Sequence, residues 1–315
     1  MIKIDLITGF LGSGKTTFLR SYARYLIEKG NHICILENDY GAVNVDMMLL
    51  GSLEGEACDL EMVAGGCDPD CHRRRFKTKL IAMGMLGYDR VLVEPSGIFD
   101  MDEFFDVLCE EPLDQWYEIG NVITVMDAAL PEDLSPESDY ILASEAANAG
   151  IILLSKVQLA SPEAITGSIA HLERAMRRAR CSRSLDGAFL IKDWAALTRE
   201  DYERILSCGY VRQSYEKLPV HEENAYDSLY YFHLHMSGEE FKAQASKLLA
   251  DPSFGRIFRI KGFLPTEDGH WLEVNVTKKS STIRPIAAGQ EVLLVIGERL
   301  AKDRIDAFWN SRTVS

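Results

Sequence analysis

The chain has 315 residues, which is more than one hydrophobic core normally organises, so two domains are expected. Hydrophobic residues make up 47% and charged residues 26%, as in soluble globular proteins. The formal net charge of −14 argues against a general nucleic-acid or anionic-membrane binder, because both need basic surface. We find no signal-peptide pattern and no apolar run long enough to span a bilayer. Seven cysteines without regular spacing favour a reduced, cytoplasmic setting.

Short apolar runs alternate with helical stretches over residues 1–208. Buried parallel strands are predicted at 2–8, 32–37, 90–94, 121–126 and 151–155. Helices are predicted at 15–29, 76–86, 101–110, 136–149 and 162–179. This alternation indicates βαβ units and a doubly wound, mainly parallel α/β sheet.

The pattern changes after a polar segment at 209–224, which we interpret as a linker. Residues 225–315 are then expected to form a smaller α+β domain with a mainly antiparallel sheet. Strands are predicted at 229–236, 256–262, 271–277, 281–286 and 292–297, with helices at 238–251 and 302–309. In the first of these strands, alternation places four residues on the core face: Tyr230, Phe232, Leu234 and Met236. His233 and His235 share the other face, where a solvent-facing or partner-facing surface is commoner than a metal site.

The first predicted strand runs into a glycine-rich segment that opens the first predicted helix. Gly9-Phe10-Leu11-Gly12-Ser13-Gly14-Lys15-Thr16 has the spacing of a phosphate-binding P-loop. Its glycines allow backbone N–H groups to approach phosphate oxygens, Lys15 reaches the β- and γ-phosphates, and the Thr16 hydroxyl binds Mg²⁺. The nucleotide-binding residues expected here are Gly9, Gly12, Ser13, Gly14, Lys15, Thr16 and Thr17.

Two further loops follow predicted strands at the sheet edge where ligands bind in this architecture. One strand ends at Glu37 and continues into Asn38-Asp39, and another ends at Glu94 and continues into Pro95-Ser96-Gly97. A carboxylate there can hold Mg²⁺ or order the attacking water, and the Gly97 N–H can bind the γ-phosphate. We therefore predict that Lys15, Asp39, Glu94 and Gly97 are catalytic, with Asp39 and Glu94 also at the Mg²⁺. The alternatives are a helix cap for Asp39 and a surface ion pair for Glu94.

These motifs together resemble the CobW-like family of P-loop GTPases, relatives of UreG and HypB. The matching segments are GFLGSGKTT at 9–17, ENDYGAVNVD at 37–46, VLVEPSG at 91–97, VITVMDA at 122–128, RIFRIKGFL at 256–264 and IG at 296–297. The resemblance implies a GTPase that couples hydrolysis to delivery of a transition metal, often zinc or cobalt, to a client protein.

The base-reading motif of that family, Asn-Lys-x-Asp, is altered in this chain. Here it reads Ser155-Lys156-Val157-Gln158. The family's Asp accepts two hydrogen bonds from guanine, whereas the neutral Gln158 can accept from one side only. The loss is worth about 1.5–3 kcal/mol, roughly ten- to a hundredfold in guanine preference. Ser155, Lys156 and Gln158 are the expected base-site residues, with GTP favoured and ATP left open.

The family's Gly-Cys-x-Cys-Cys motif is altered as well. Here the segment reads Gly66-Cys67-Asp68-Pro69-Asp70-Cys71-His72, with two thiols and an imidazole within six residues. Sulfur and nitrogen ligands suit Zn²⁺ or Co²⁺, and three ligands leave the open position that a transfer site needs. We predict metal binding at Cys67, Cys71 and His72, with Cys58 a further sulfur ligand if its loop folds back. The alternative is a turn with two ordinary cysteines.

Three functions remain open from the sequence. The first is a metallochaperone or cofactor-insertion GTPase that hands a metal to a client metalloprotein or cofactor-dependent enzyme. The second is a nucleotide-dependent activator of a metal- or corrinoid-dependent enzyme, with no metal carried by this chain. The third is a small-molecule kinase, for which Arg73–Arg75 are the lid candidates. A homodimer is also compatible with a switch of this kind, and neither nucleic acid nor membrane is expected as a partner.

Overall fold

A computed structural model describes residues 1–10, 12–39, 45–64, 69–95, 101–131, 134–213, 215, 227–266, 269–278, 280–287 and 289–310. The chain divides into two compact units, Met1–Pro219 and Val220–Ser315, which are described separately below. None of the described helices is both long enough and apolar enough to cross a membrane.

The first unit contains a seven-stranded parallel sheet. Its strands are β1 (Ile2–Thr8), β2 (Ile33–Asp39), β3 (Cys58–Ala64), β4 (Arg90–Pro95), β5 (Tyr117–Asp127), β6 (Ile151–Ser155) and β7 (Phe189–Leu190). They lie in the order β3-β2-β4-β1-β5-β6-β7, and every pairing is parallel. The predicted doubly wound α/β architecture is confirmed.

Helices cover both faces of this sheet. They are α1 (Lys15–Glu28), α2 (Val45–Leu50), α3 (Pro69–Gly84), α4 (Met101–Leu108), α5 (Leu113–Trp116), α6 (Pro136–Ala147), α7 (Pro162–Arg178) and α8 (Arg199–Leu206). One hydrophobic cluster joins Ile4 and Leu6 of β1 to Phe76 and Phe104. A second joins Ile7 of the same strand to the α1 face. β1, β2, β4 and β5 contribute side chains to both clusters, which is why these central strands are largely apolar.

Strand β3 and the first part of α3 differ from the sequence prediction. Residues 58–64 were not predicted as a strand, because Asp59 and Glu61 interrupt the apolar run. Among the described strands, β3 lies at the edge of the sheet with β2 as its neighbour, so its polar side chains can remain partly exposed. The helix predicted from residue 76 begins at Pro69, which suits the first helical position.

A buried polar network is centred on Asp5, in the middle of β1. The Asp5 carboxylate is fully buried, and both of its oxygens are 2.6 Å from Arg90 Nη1. Tyr22 Oη donates to Asp5 Oδ2 at 2.9 Å, and the Asn121 backbone N–H donates to Oδ1 at 2.8 Å. Burial and the neighbouring Asp5 raise the pKa of Tyr22. The Asp5 carboxylate thus joins β1, β4, β5 and α1.

The start of the predicted linker is hydrogen-bonded to the first unit. Gly209 N–H donates to Asn121 Oδ1 at 2.9 Å, and Val211 N–H donates to the Asn148 carbonyl at 3.0 Å. Residues 216–226 lie outside the described residues.

The second unit is an antiparallel sheet with two described helices. Its strands are β8 (Asp227–Tyr231), β9 (Arg256–Pro265), β10 (Trp271–Thr277), β11 (Ser281–Ile286) and β12 (Val292–Glu298), in the order β11-β10-β9-β12-β8. The helices are α9 (Gly238–Ala250) and α10 (Lys302–Asn310). Phe241 of α9 and Trp309 of α10 are fully buried against the sheet.

The core face predicted for residues 229–236 is wrong in its first half. Leu229 and Tyr231 are buried, whereas Phe232 is 42% exposed. The strand ends at Tyr231, and His233 adopts a left-handed φ of 59°, which interrupts the alternation. Leu234 and Met236 return to the core, as predicted.

Candidate nucleotide and metal site

Three glycines shape the loop between β1 and α1. Gly9, Gly12 and Gly14 have φ values of 143°, 77° and 105°, a backbone region that disfavours other residues. A Cβ on Gly9 would lie 2.1 Å from the carbonyl oxygen of Val125, so no larger residue fits there. The sequence therefore needs glycine both for the loop's conformation and for its contact with β5.

The start of α1 has the properties of an anion site. Gly14 is its N-cap residue and supplies no side-chain cap, so the first N–H groups of the helix are available to a ligand. Ser13 is buried, and its Oγ meets no hydrogen-bond partner among the described residues. A phosphate group would satisfy these donors, so the loop fits the nucleotide that the sequence predicts.

Lys15 already lies over this loop. Its Nζ donates to the Gly9 carbonyl oxygen at 2.9 Å, and the side chain is almost fully buried. The amine therefore sits above the cradle where the β- and γ-phosphates are expected. Thr17 follows on the first turn of α1.

The hydroxyl of Thr16 is joined to the end of β4. Thr16 Oγ1 donates to Glu94 Oε1 at 2.9 Å, and Glu94 is buried. These two predicted Mg²⁺ ligands are 78 residues apart in sequence and are brought together by the order of β1 and β4. Oxygen ligands of this kind are those that Mg²⁺ prefers.

Glu37 is a second carboxylate at this edge, which the sequence analysis did not include among the site residues. It is buried and lies beside Glu94 in the register of β2 and β4. Asn38 follows, and neither of its side-chain polar atoms has a hydrogen-bond partner among the described residues. Two carboxylates on adjacent buried strands favour a divalent cation nearby. Its position at the end of a predicted strand, one residue before Asn38, is the sequence signal that could have identified it.

Part of the predicted switch machinery cannot be placed. Asp39 ends β2, two residues beyond Glu37, and its side chain is outside the described part of the chain. Gly97 and Cys67 also lie outside the described residues. Their roles therefore remain predictions.

Lys156 links the altered base motif to the phosphate loop. Its Nζ donates to the Gly12 carbonyl at 3.1 Å and to Asp127 Oδ2 at 2.6 Å. Ser155 is buried, and its Oγ donates to the Met126 carbonyl at 3.3 Å. Gln158 lies in the following turn and is exposed. Ser155 and Lys156 therefore lie beside the loop, whereas Gln158 is exposed in the next turn.

Asp127 and Trp194 belong to this region but were not predicted. Asp127 ends β5 and holds Lys156. The Trp194 ring would lie 3.3 Å from a Cβ on Gly14, and it packs edge-on against Phe18 at 5.7 Å between centroids. Asp127 is the single acidic residue of VITVMDA, whereas no sequence pattern marks Trp194.

Cys71 and His72 occupy the first turn of α3. Cys71 is partly buried and lines an open cleft of about 530 Å³ between β3 and α3. His72 is fully buried. Arg74, Arg75 and Lys79 line the same cleft. Cys71 and His72 are consecutive, so their side chains point about 100° apart around the helix, and the two face different surroundings.

The suggested contribution of Cys58 to this metal site is wrong. Cys58 is the first residue of β3, whereas α3 begins beyond the other end of that strand, a strand length of about 20 Å away. Its thiol is buried, which raises its pKa to about 11. Among the described residues, no group of three or more His, Cys, Asp or Glu side chains is arranged to hold a metal.

The fold and this edge together define a class of protein. A parallel sheet whose first strand leads through a glycine loop into a helix, with Thr16 joined to a carboxylate on β4, is the arrangement of P-loop nucleoside triphosphatases.

The comparison with known proteins narrows this class. The family described as CobW/HypB/UreG, nucleotide-binding domain, matches residues 3–183. The chain belongs to this family.

Several relatives can be compared directly. The zinc chaperone YjiA of Escherichia coli K12 is 30% identical over 171 residues, covering 50% of each chain. The zinc chaperone YeiR of the same organism is 28% identical over 164 residues, covering 52% of this chain and 49% of YeiR. The zinc chaperone CobW of Pseudomonas aeruginosa is 28% identical over 203 residues, covering 52% and 51%. The chain spans about half the length of the curated relatives it matches.

Solved structures give more distant similarities. The Zn(II)-bound YjiA GTPase from E. coli has 21% identity and a TM-score of 0.36, with 99% of this chain and 98% of that chain covered. The hydrogenase maturation factor HypB from Archaeoglobus fulgidus has 15% identity and a TM-score of 0.41, with 65% and 86% covered.

Proposed function

We propose that this protein is a GTP-hydrolysing metallochaperone that couples Mg²⁺-dependent hydrolysis to delivery of a transition metal to a client protein. The observation that carries the nucleotide half of this proposal is the hydrogen bond from Thr16 Oγ1 to Glu94 Oε1. It joins the phosphate loop to a buried carboxylate, which is the minimum needed to hold Mg²⁺ beside a triphosphate.

The residues at the loop divide the work of hydrolysis. Thr16 and Glu94 would hold Mg²⁺ or its water, with Glu37 beside them, and the ion would offset negative charge on the triphosphate. Lys15 exchanges its hydrogen bond to the Gly9 carbonyl for the phosphates. Asp39 and Gly97 are proposed to order the attacking water and sense the γ-phosphate.

The nucleotide is proposed to be GTP, with ATP as the alternative. Lys156, held by Asp127 and the Gly12 carbonyl, packs along the base. Gln158 replaces the family's charged base reader, so the discrimination against adenine is expected to be weak.

The cargo is proposed to be Zn²⁺ or Co²⁺, bound by Cys67, Cys71 and His72. Cys71 lines an open cleft, as a site that releases its metal requires, and the relatives YjiA, YeiR and CobW are named zinc chaperones. Buried His72 would have to turn outward, or Cys67 would have to approach from its side, for the three to share one ion. A client metalloprotein or cofactor-dependent enzyme would receive it, and the protein is proposed to act in the cytoplasm.

Two alternatives remain. An activator that carries no metal would hydrolyse nucleotide normally after loss of its cysteines. A small-molecule kinase is less supported, because Arg73 is engaged by Glu110 at 2.6 Å and Arg74 and Arg75 line the cleft beside β3. Release of phosphate to water without an acceptor would separate either chaperone from a kinase.

The decisive measurement is hydrolysis of GTP and ATP side by side, with and without Zn²⁺ or Co²⁺. Thr16→Ala removes the hydroxyl that faces Glu94, so we expect hydrolysis at fixed Mg²⁺ to fall at least tenfold and the Mg²⁺ needed for half-maximal rate to rise. Thr166→Ala, at an exposed threonine of α7, is the matched control and should match the parent. An unchanged Mg²⁺ requirement in Thr16→Ala would contradict the proposed site.

A further inference from the structure

A buried glutamate lies behind the phosphate loop, on a helix that the proposed reaction does not use. Glu145 is in the last turns of α6 and is 1% exposed. Its Oε1 accepts a hydrogen bond from Thr8 Oγ1 at 3.0 Å, and Thr8 ends β1 immediately before Gly9. Thr124 Oγ1 donates to the Glu145 backbone carbonyl at 2.8 Å, so β5 fixes this turn of α6. The carboxyl group is therefore held against the base of the loop.

Hydrogen bonds offset only part of the cost of burying the Glu145 carboxylate. Its Oε2 is buried without a hydrogen-bond partner among the described residues. The Gly9 N–H, the Thr8 hydroxyl and the charge of Lys15 favour the carboxylate, but burial outweighs them and raises the pKa of Glu145 to about 7. Both protonation states are thus accessible near neutral pH.

Other charged groups around α6 are engaged elsewhere. Asp139, six residues earlier on the helix, is bound by His171 Nε2 at 2.6 Å and Arg178 Nη1 at 2.7 Å. Arg183, which follows α7, donates to the Ala146 and Ala147 carbonyls at the end of α6. Lys15 of the phosphate loop is the charged side chain whose field acts on the Glu145 carboxyl group.

We propose that Glu145 is a positioning residue that supports the phosphate loop in its protonated form, so that nucleotide binding draws a proton from solvent onto this carboxylate. The proposal rests on the proposed function, because it requires a triphosphate at this loop. Its physical basis is that Lys15 would leave the Gly9 carbonyl and bind phosphate. When phosphate engages the amine, the positive field that favours the carboxylate is replaced by a polyanion on the other side of the loop.

Proton linkage then follows by mass action. Without nucleotide, the Glu145 carboxyl group is half-ionised near pH 7, and with nucleotide it is protonated. Nucleotide affinity therefore falls as the pH rises above the pKa of the nucleotide-free protein. The affinity should fall by up to about tenfold per pH unit from pH 7 upward, until the pKa of the bound state is reached. Glu145→Gln keeps the shape of the side chain but cannot ionise, so it should lack this slope.

The test is isothermal titration calorimetry of the full chain with Mg²⁺ and a non-hydrolysable GTP analogue. Measurements at pH 8 in two buffers of different ionisation enthalpy count the protons taken up on binding. On binding nucleotide, the parent should gain as much as one proton more than Glu145→Gln gains. The parent's nucleotide affinity should also fall more steeply between pH 7 and 9. Titration of the nucleotide itself cancels in this comparison.

Thr8→Val provides a second, independent variant. It removes the hydroxyl that favours the carboxylate, so the midpoint of the pH dependence should move upward. A purely structural defect would instead lower affinity equally at every pH. Equal proton uptake by the parent and Glu145→Gln, with nucleotide still bound, would overturn this inference and leave the proposed function standing. Failure of the parent to bind nucleotide at any pH would overturn both.

Discussion

Lys156 is the residue that connects the proposed base site to the phosphate loop. It adopts a left-handed φ of 57°, which turns its side chain back toward the phosphate loop. There it reaches both the Gly12 carbonyl and Asp127. The lysine thus ties the end of β5 to the phosphate loop, and in the proposed function base selectivity depends on the exposed Gln158.

Restoring the acidic base reader should restore guanine selectivity. In Gln158→Asp, the carboxylate can accept two hydrogen bonds from guanine and repels the acceptor that adenine presents there. We expect the ratio of kcat/KM for GTP over ATP to rise about ten- to a hundredfold, or about 1.5–3 kcal/mol. Gln115→Asp, at another exposed glutamine, is the control and should leave the ratio unchanged. A parent that already prefers GTP by more than a thousandfold would show that other residues read the base.

The elements of the first unit assemble the site from strand ends. β1, β2 and β4 deliver Gly9, Glu37 and Glu94 to one edge because all three strands run parallel. α3 begins close to that edge, so Cys71 is placed near the switch region by the helix start. Away from this edge, the Asp5–Arg90 ion pair joins β1 to β4 and helps to fix their register.

Breaking that network from one side should destabilise the first unit strongly. Arg90→Met leaves the buried Asp5 carboxylate with hydrogen bonds from Tyr22 and Asn121 but no cation, at a cost of about 3–5 kcal/mol. Urea unfolding followed by fluorescence measures this loss. Lys29→Met removes a partly exposed ion pair with Glu203 and should cost far less than Arg90→Met, because solvent screens this pair. Similar losses of unfolding free energy in the two variants would contradict the predicted importance of the buried pair.

At the scale of the whole molecule, the proposed activity requires that the metal segment responds to nucleotide. Residues 65–68 lie between β3 and α3, and β3 pairs with β2, whose end carries Glu37 and Asp39. Ordering of the β2 end by nucleotide and Mg²⁺ therefore has a short physical route to Cys67 and Cys71. The second unit, with its separate core, is the region left for client recognition in this proposal.

Metal affinity should then depend on both Cys71 and nucleotide state. Cys71→Ser is expected to weaken Zn²⁺ or Co²⁺ binding at least tenfold, because it removes a thiolate ligand. The parent's affinity should differ between bound GDP and a non-hydrolysable GTP analogue, measured by competition with a chromophoric chelator. Cys109→Ser, at an exposed cysteine outside the motif, is the control. Unchanged metal binding in Cys71→Ser would favour the activator that carries no metal.

The sequence by itself determined the class of fold and the phosphate loop, because both depend on local order. Apolar runs of strand length, a glycine spacing and a following helix are encoded within a few residues of one another. It also placed the strands of the second unit, although the left-handed turn at His233 changed which side chains of the first one are buried.

Only the tertiary structure decided which distant side chains meet. Strand order brings Thr16 to Glu94, Lys156 to Asp127, and Thr8 to Glu145, pairs separated by 78, 29 and 137 residues. The tertiary structure also buries Cys58 at the start of β3, away from α3, and places Trp194 against Gly14. These contacts arise from packing of elements across the sheet, and no local pattern of residues encodes them.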